Sequence, residues 1–255
     1  MLWYKSWLES RSRFLIGLAV MMLGAAGVVV AEPRLMKLVP AAIKVDPSDA
    51  IGRQVRENAE LMRDYRGYVW AQWTRQTFTQ IGTLLAVLLG AGGLLSQSSG
   101  GAALFTLSMP ASRQRLLGVR AATGLAELLV VAVAPALLIS MLSPAIGQHY
   151  GVGDAILHGV CFFIAAAAFF SLAVLLSTVF GDFWRPILIA CGVAVVLSLC
   201  EQAVRGQWTY GIFRVMAGED LFRSDRLPWI GLFGSTIASA LMLYGATKLI
   251  ARQEF

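Results

Sequence analysis

Charge is what this 255-residue chain has least of. Only 14% of its residues are Asp, Glu, Lys or Arg, against about 25% in an ordinary soluble domain, so a water-soluble globular fold is excluded. Histidines number two, His149 and His158, too few for a histidine-built zinc site. The three cysteines, Cys161, Cys191 and Cys200, all fall within long apolar runs, where thiols behave as small hydrophobes. They make neither a disulfide framework nor a metal-binding spacing. No G-x-x-x-x-G-K-[ST] loop is present to cradle a nucleotide. There is no H-E-x-x-H metalloprotease pair and no G-x-S-x-G nucleophile elbow. The run Ser96 to Gly101, SQSSGG, shares residue types with a nucleotide-contacting signature of transport ATPases, but in the wrong order and beside an apolar run.

What the chain has instead is length in apolar stretches, with 57% hydrophobic residues. Six runs stand out, at about 14–31, 77–95, 121–142, 158–180, 186–204 and 229–250. Each is long enough to cross a hydrocarbon core, which takes roughly 20 residues at about 1.5 Å each. The fold class expected is therefore an all-α membrane protein with six transmembrane helices, read as a single domain over 1–255. The first run is long for the h-region of a secretory signal and leads into Glu32-Pro33-Arg34, a poor cleavage context, so it is expected to be retained.

With six crossings, one set of segments collects Lys5, Arg11, Arg13, Arg113, Arg115, Arg120, Arg185, Lys248 and Arg252, whereas the short segment 143–157 has no Lys or Arg. The positive-inside rule then places both termini on the cytoplasmic side. Before the first run, Trp3 and Trp7 lie one helical turn apart with Lys5 and Glu9 on other sides. This pattern predicts an interfacial helix over 1–13, its indoles in the headgroup layer.

The outer loop 32–76 carries its own helix start, Asp46-Pro47-Ser48-Asp49: an N-cap, a proline for the first helical position and an acid at the positive helix end. Ile51, Val55, Ala59, Met62 and Tyr65 or Tyr68 continue at helical spacing, which predicts an amphipathic helix. It either packs over the mouths of the spans or grips a substrate or partner. Trp70 and Trp73 are expected as interfacial anchors. A second outer element, partly helical or re-entrant, is expected over 205–228.

Ionisable groups inside the runs are scarce, essentially Glu127, with Glu201 near the end of the fifth. Such groups are costly in lipid and mark transport routes when they are not simply paired. Glu127 is a candidate intramembrane polar site; a hydrogen bond to a neighbouring Ser, Thr or backbone group is the alternative. The small-residue clusters Gly24 to Gly27 and Ala165 to Ala168 permit close helix approach, at a subunit seam or within one bundle.

The most specific local pattern is LLSQSSGGAALFTLSMPASRQRLLGVRAATGLAELL, beginning at Leu94. A polar, glycine-containing exit leads to a semi-apolar helix, a Leu-Ser-x-Pro-x-Ser-Arg turn from Leu107 to Arg113, and basic residues feeding the third run. Pro110 suits a first helical turn, with Ser108 or Met109 as cap. Leu104, Phe105 and Leu107 form an apolar knob. Arg113 and Arg115 offer charge either to lipid headgroups or to an acidic partner groove.

This segment resembles the permease subunit of type-2 ATP-binding-cassette exporters, as do WLESRSRFLIGL at the start and the basic tail. The resemblance implies a cytoplasmic coupling segment over 96–120, with a short helix from Gln97 to Ser108 that receives the motion of a separate ATPase. It makes Gln97, Leu104, Phe105, Leu107, Ser108, Pro110 and Arg113 the coupling residues and sets Arg120 where the family often has Lys. Gln97, Ser98, Gly100 and Gly101 depart from the charged pair and Gly-Thr usual there, which weakens the case for a salt bridge to the ATPase.

The partners implied are a cytoplasmic ATP-binding-cassette ATPase, a second permease copy (identical or related) and the lipid bilayer, with no nucleic acid. ATP and Mg belong to the ATPase; this chain is expected to bind no cofactor or metal, to have no catalytic residue and not to be an enzyme. Localisation is expected in a cytoplasmic (inner) membrane. A non-transporting scaffold recruiting an extracytoplasmic partner, and an ion-coupled carrier using Glu127, are the rival readings. The residues do not identify a substrate.

Overall fold

The computed structural model describes residues 2–43, 50–91, 112–204 and 211–252, and among these every regular element is helical. The long helices are α1 (Leu2–Leu35), α6 (Arg113–Leu142), α7 (Val152–Val179), α8 (Trp184–Ala203) and α11 (Trp229–Arg252). Shorter ones are α2 (Val39–Ile43), α3 (Ala50–Leu61), α4 (Tyr65–Val69), α5 (Thr79–Gly90), α9 (Ile212–Met216) and α10 (Glu219–Ser224). A π-helical stretch, Trp70–Phe78, joins α4 to α5, and a 3-10 turn, Ser143–Ile146, ends α6.

Among the described residues, five helices are long and apolar enough to cross a membrane. The second apolar run of the sequence takes a different form. Its α-helix has only 12 residues, about 18 Å at 1.5 Å each, and continues back through the π stretch to Tyr65. There the Thr77 and Thr79 hydroxyls donate to the carbonyls of Gln72 and Thr74, five residues earlier, at 2.9 and 2.7 Å. These bonds satisfy backbone acceptors in the widened turns. The whole run lies antiparallel along α1, with Tyr68 Oη donating to the Val28 carbonyl at one end and Arg13 donating to the Ala91 carbonyl at the other.

α7 is the central helix, packed on α5, α6, α8, α9 and α11. Its Ala165 to Ala168 are buried, so this small-residue cluster serves packing within the bundle. Gly24 faces the Trp73 ring, also within the bundle, while a Cβ at Gly27 would meet nothing. α7 and α11 run parallel, joined by Ser171 Oγ and Ser239 Oγ at 2.6 Å. Within lipid such hydroxyl pairs hold helices together because neither group has water as an alternative.

The bundle has two polar ends. One carries Glu9, Arg13, Ala91, Arg120 and Phe183; the other carries Glu32, Tyr65, Ser143, Asp154 and Asp225. The long helices alternate between them, so Leu2 and the end of α11 lie at the same end, here called the proximal end.

Three expectations need correction. No separate interfacial helix occupies 1–13: α1 is one helix of 34 residues, about 50 Å long, because nothing between Leu2 and Phe14 breaks a helix and Glu9, Ser10 and Arg13 are tied to the bundle. Trp7 packs edge-on against Phe14 at 5.4 Å. Trp70 and Trp73 are not interfacial anchors but interior residues, each 2% exposed. The amphipathic helix does not run on to Tyr65 or Tyr68: α3 stops at Leu61, and Asp64 caps a new helix by accepting from Gly67 N at 3.2 Å. Its start signal at 46–49 lies outside the described residues.

Candidate functional site

The proximal end is built where three helices leave the apolar layer together. From α1, Arg13 Nη1 donates to the carbonyls of Leu88 and Ala91, at 3.1 and 2.6 Å. These belong to the last turn of α5 and the residue after it, where carbonyls have no helical partner and a cation is favoured. The same guanidinium lies 5.2 Å from the Phe183 ring centroid, between α7 and α8. One turn earlier, Glu9 pairs with Arg120 of α6 at 3.7 Å and with Lys5 at 4.0 Å. Between them Ser10 Oγ donates to Glu127 Oε1.

Glu127 is 4% exposed, yet it lies level with Ser10, which precedes the first apolar run. Its position is thus at the proximal boundary and not at the middle of the bundle. The arrangement offers no nucleophile beside a base; chemically it is a clamp of ion pairs and charge-assisted hydrogen bonds running from the partly exposed Lys5 and Glu9 to the buried Glu127, and pairs broken at the buried side are costly.

The distal end is a second, separate cluster centred on Arg66 of α4. Its guanidinium lies 3.3 Å from Asp154 of α7 and 2.8 Å from Asp225 after α10. Tyr65 Oη and Ser143 Oγ share a 2.7 Å hydrogen bond, and Gln148 donates to the buried Glu32 at 3.3 Å. Burial pushes the Tyr150 phenol well above the usual range. The short pair α9–α10 is docked by Trp70, whose Nε1 donates to the Ala217 carbonyl at 2.8 Å and whose ring stacks on Phe222 at 4.4 Å. Glu201, at the end of α8, accepts from Phe213 N at 3.1 Å and so caps the first turn of α9.

Residues 8–216 match the family model described as ABC-2 family transporter protein. The chain belongs to this family. No curated protein and no solved structure gives a match. As a member, it is a multi-pass membrane protein of the transporter-permease type, a membrane component and typically not the catalytic one.

Of the coupling residues expected in this ABC-2 family chain, Gln97, Leu104, Phe105, Leu107, Ser108 and Pro110 lie outside the described residues, as does the cap expected at Ser108 or Met109. Arg113 opens α6, which is capped by Ser112: its Oγ accepts from Arg115 N at 3.3 Å. The segment 92–111 therefore leaves from Ala91 and returns at Ser112. The structure brings Glu127 together with Ser10, Arg13 and Arg120, a grouping the sequence reading missed. Spacing shows only that Glu9 and Arg13, four apart, share one face of α1 and that Arg120 and Glu127, seven apart, share one face of α6; it does not show that the two faces meet. Among the described residues no three metal-binding side chains gather.

The Arg66 cluster makes a test of the distal end. Its partners are one-third and three-quarters exposed, so screening limits each pair. Arg66→Gln is expected to lower stability by about 1 kcal/mol at low salt, with the deficit shrinking in high salt. Melting of the detergent-solubilised protein at two ionic strengths measures it; a deficit unchanged by salt would assign Arg66 to packing instead.

Proposed function

We propose that this chain is the transmembrane permease subunit of an ATP-driven exporter, coupling ATP hydrolysis by a separate ATPase to translocation. The observation that carries the reading is the family match over 8–216, joined to a chain layout in which Ala91 and the proximal half of α6 lie at the end that also holds Leu2 and the end of α11. On this reading the proximal end is cytoplasmic and the membrane is the inner one. The run from Tyr65 to Gly90 then serves as the second of six crossings, and the segment 96–120 receives the ATPase. ATP and Mg act at the partner. A second permease copy completes a route at the seam between them.

The boundary position of Glu127, with Ser10 as its donor and arginines around it, favours this reading over an ion-coupled carrier, which needs an accessible acid along the pathway. A scaffold without transport predicts no effect on ATP turnover. The test uses the full chain purified with the ATPase encoded beside it. The wild-type complex is expected to assemble and to turn ATP over at a rate different from the isolated ATPase. The double variant Pro110→Ala, Arg113→Gln is expected to remove about tenfold of that response, the loss of one to two kcal/mol of coupling. Unchanged turnover in the variant, or no assembly in the wild type, rejects the reading.

A further inference from the structure

At the distal end His158 lies beneath the turn that joins α9 to α10. It stands in the second turn of α7 and is 3% exposed. Its Nδ1 is 2.8 Å from the Asp154 carbonyl oxygen. A carbonyl can only accept, so Nδ1 carries the ring proton and Nε2 keeps a lone pair. That nitrogen is buried and has no hydrogen-bond partner among the described residues. Over it runs Gly218, with φ of 58°. A Cβ at Gly218 would come within 2.9 Å of the ring Cδ2 and 3.3 Å of Nε2. The backbone of the turn thus rests on the unpartnered edge of the imidazole, a place and a conformation that suit glycine.

Every described carboxylate around this edge is already engaged. Asp154 of α7 and Asp225 after α10 pair with Arg66 of α4. Glu219 of α10 pairs with Arg214 of α9 and with Arg223, and Glu201 of α8 accepts from Phe213 N. Tyr65 is bonded to Ser143, and Arg75 of the π stretch stacks on Trp70. Tyr150, before α7, is the remaining titratable group from that side, and α5 with the distal halves of α6 and α11 contributes no charge. A proton on Nε2 would therefore create a donor with no acceptor and a second cation beside Arg66, at a site closed to water. Both are strongly disfavoured in a buried setting.

We propose that His158 and the Gly218 turn form a proton-operated latch: with the imidazole neutral the α9–α10 pair stays docked, and a proton arriving at Nε2 releases it. Lifting the turn gives the imidazolium water as its partner. The docked form excludes the proton, and the lifted form takes it at the ordinary imidazole value of about 6.5. Docking is therefore fully retained above that pH and is lost as pH falls through it. The latch is a property of the chain itself and holds whether or not the chain drives export.

The experiment uses the full chain in nanodiscs of phosphatidylethanolamine and phosphatidylglycerol. The chain carries His149→Asn throughout, which leaves His158 as the one imidazole. Deuterium exchange of amides 211–225 is read at about pH 7.5 and about pH 5.5 and corrected for the chemical exchange rate at each pH. Opening of 211–225 is expected to rise about tenfold at the lower pH, the ratio set by one group titrating at about 6.5 in the lifted form alone. Amides in the middle of α7 are expected to change little.

His158→Asn, whose amide can still donate to the Asp154 carbonyl but does not titrate, is expected to abolish the rise. Should it fail to fold, His158→Phe takes its place, filling the same position under Gly218 with an uncharged ring. Equal opening at the two pH values with His158 present overturns the latch. So does a tenfold rise that persists in the variant, which would assign the response to a carboxylate such as Glu201.

Discussion

Gly90→Val is expected to leave little folded protein. Gly90 is the last residue of α5, and a Cβ placed there would run into the Phe170 carbonyl oxygen and lie 3.0 Å from the Ala173 Cβ. The obstacle is backbone of the central helix α7, which cannot rotate aside as a side-chain tip can. Relief requires α5 and α7 to separate, and that separation also opens the contact of Phe170 with Gly124 of α6. Overpacking in a well-filled interior costs about 1–3 kcal/mol when side chains yield and more when backbone must, so the valine variant is expected to exceed that range and the alanine variant to reach its upper end.

The strain has a second consequence at the proximal end. Gly90 precedes Ala91, whose carbonyl is bonded to Arg13, so displacing α5 also shifts the exit of the 92–111 segment. Gly27→Ala is the control, since a Cβ there meets nothing and the change removes a helix-weakening glycine. Monodisperse yield and melting midpoint in detergent measure both. A Gly90→Val protein with the wild-type midpoint would mean that α5 and α7 do not approach as closely as this.

The same glycines show what the sequence could and could not reveal. Apolar run length was enough to find α1, α6, α7, α8 and α11, because in lipid the backbone must bond within its own helix and length alone sets the span. Run length missed, however, that the helical stretch reaches back from α5 to Tyr65, since the polar run Trp70 to Gln76 looks like an outer loop. It is tolerated inside because Trp70 and the threonines bring their own partners: Trp70 the Ala217 carbonyl, and Thr79 the Thr74 carbonyl through its hydroxyl. Tryptophan before an apolar run reads as a belt residue by composition, and only the docking of α9 and α10 over it reveals burial.

At the proximal end the ambiguity was of another kind. Glu127 has a local alternative, a serine partner, that any sequence allows, but that partner is Ser10, 117 positions away, and no helical spacing links residues on α1 and α6. Likewise Arg13 reads as an ordinary positive-inside residue. Its distinct role depends on where α5 ends, which is set by the packing of Gly82 and Gly90 on Phe162 and Phe170 rather than by any signal near residue 13.

Trp70→Ala is expected to release the distal pair α9–α10 while the long helices stay folded. The indole is 2% exposed, stacked on Phe222 with the rings 5° from parallel, and faced on its other contact by the Arg75 guanidinium, 5.6 Å from the ring centroid. Deleting so large a buried side chain costs about 3–5 kcal/mol, and the Ala217 carbonyl loses its donor besides. The other tethers of the pair are the Glu201 cap on α9, the contact of the Phe213 and Phe169 rings at 5.5 Å, the Thr83 hydroxyl near the buried Met216, and the ion pair of Arg66 with Asp225. Such a unit sits at the low-stability end of local opening. Amides of 211–225 are therefore expected to exchange with deuterium about tenfold or more faster in the variant, those of α7 scarcely changing. Trp70→Phe separates the two contributions, keeping a ring on Phe222 but losing the indole donor, at about 1–3 kcal/mol. Its exchange is expected between wild type and Trp70→Ala. Uniform acceleration across α7 and α11 instead would make Trp70 a keystone of the whole bundle, and protection of 211–225 left at wild-type level would mean that the Glu201 cap and Arg66 hold the pair unaided.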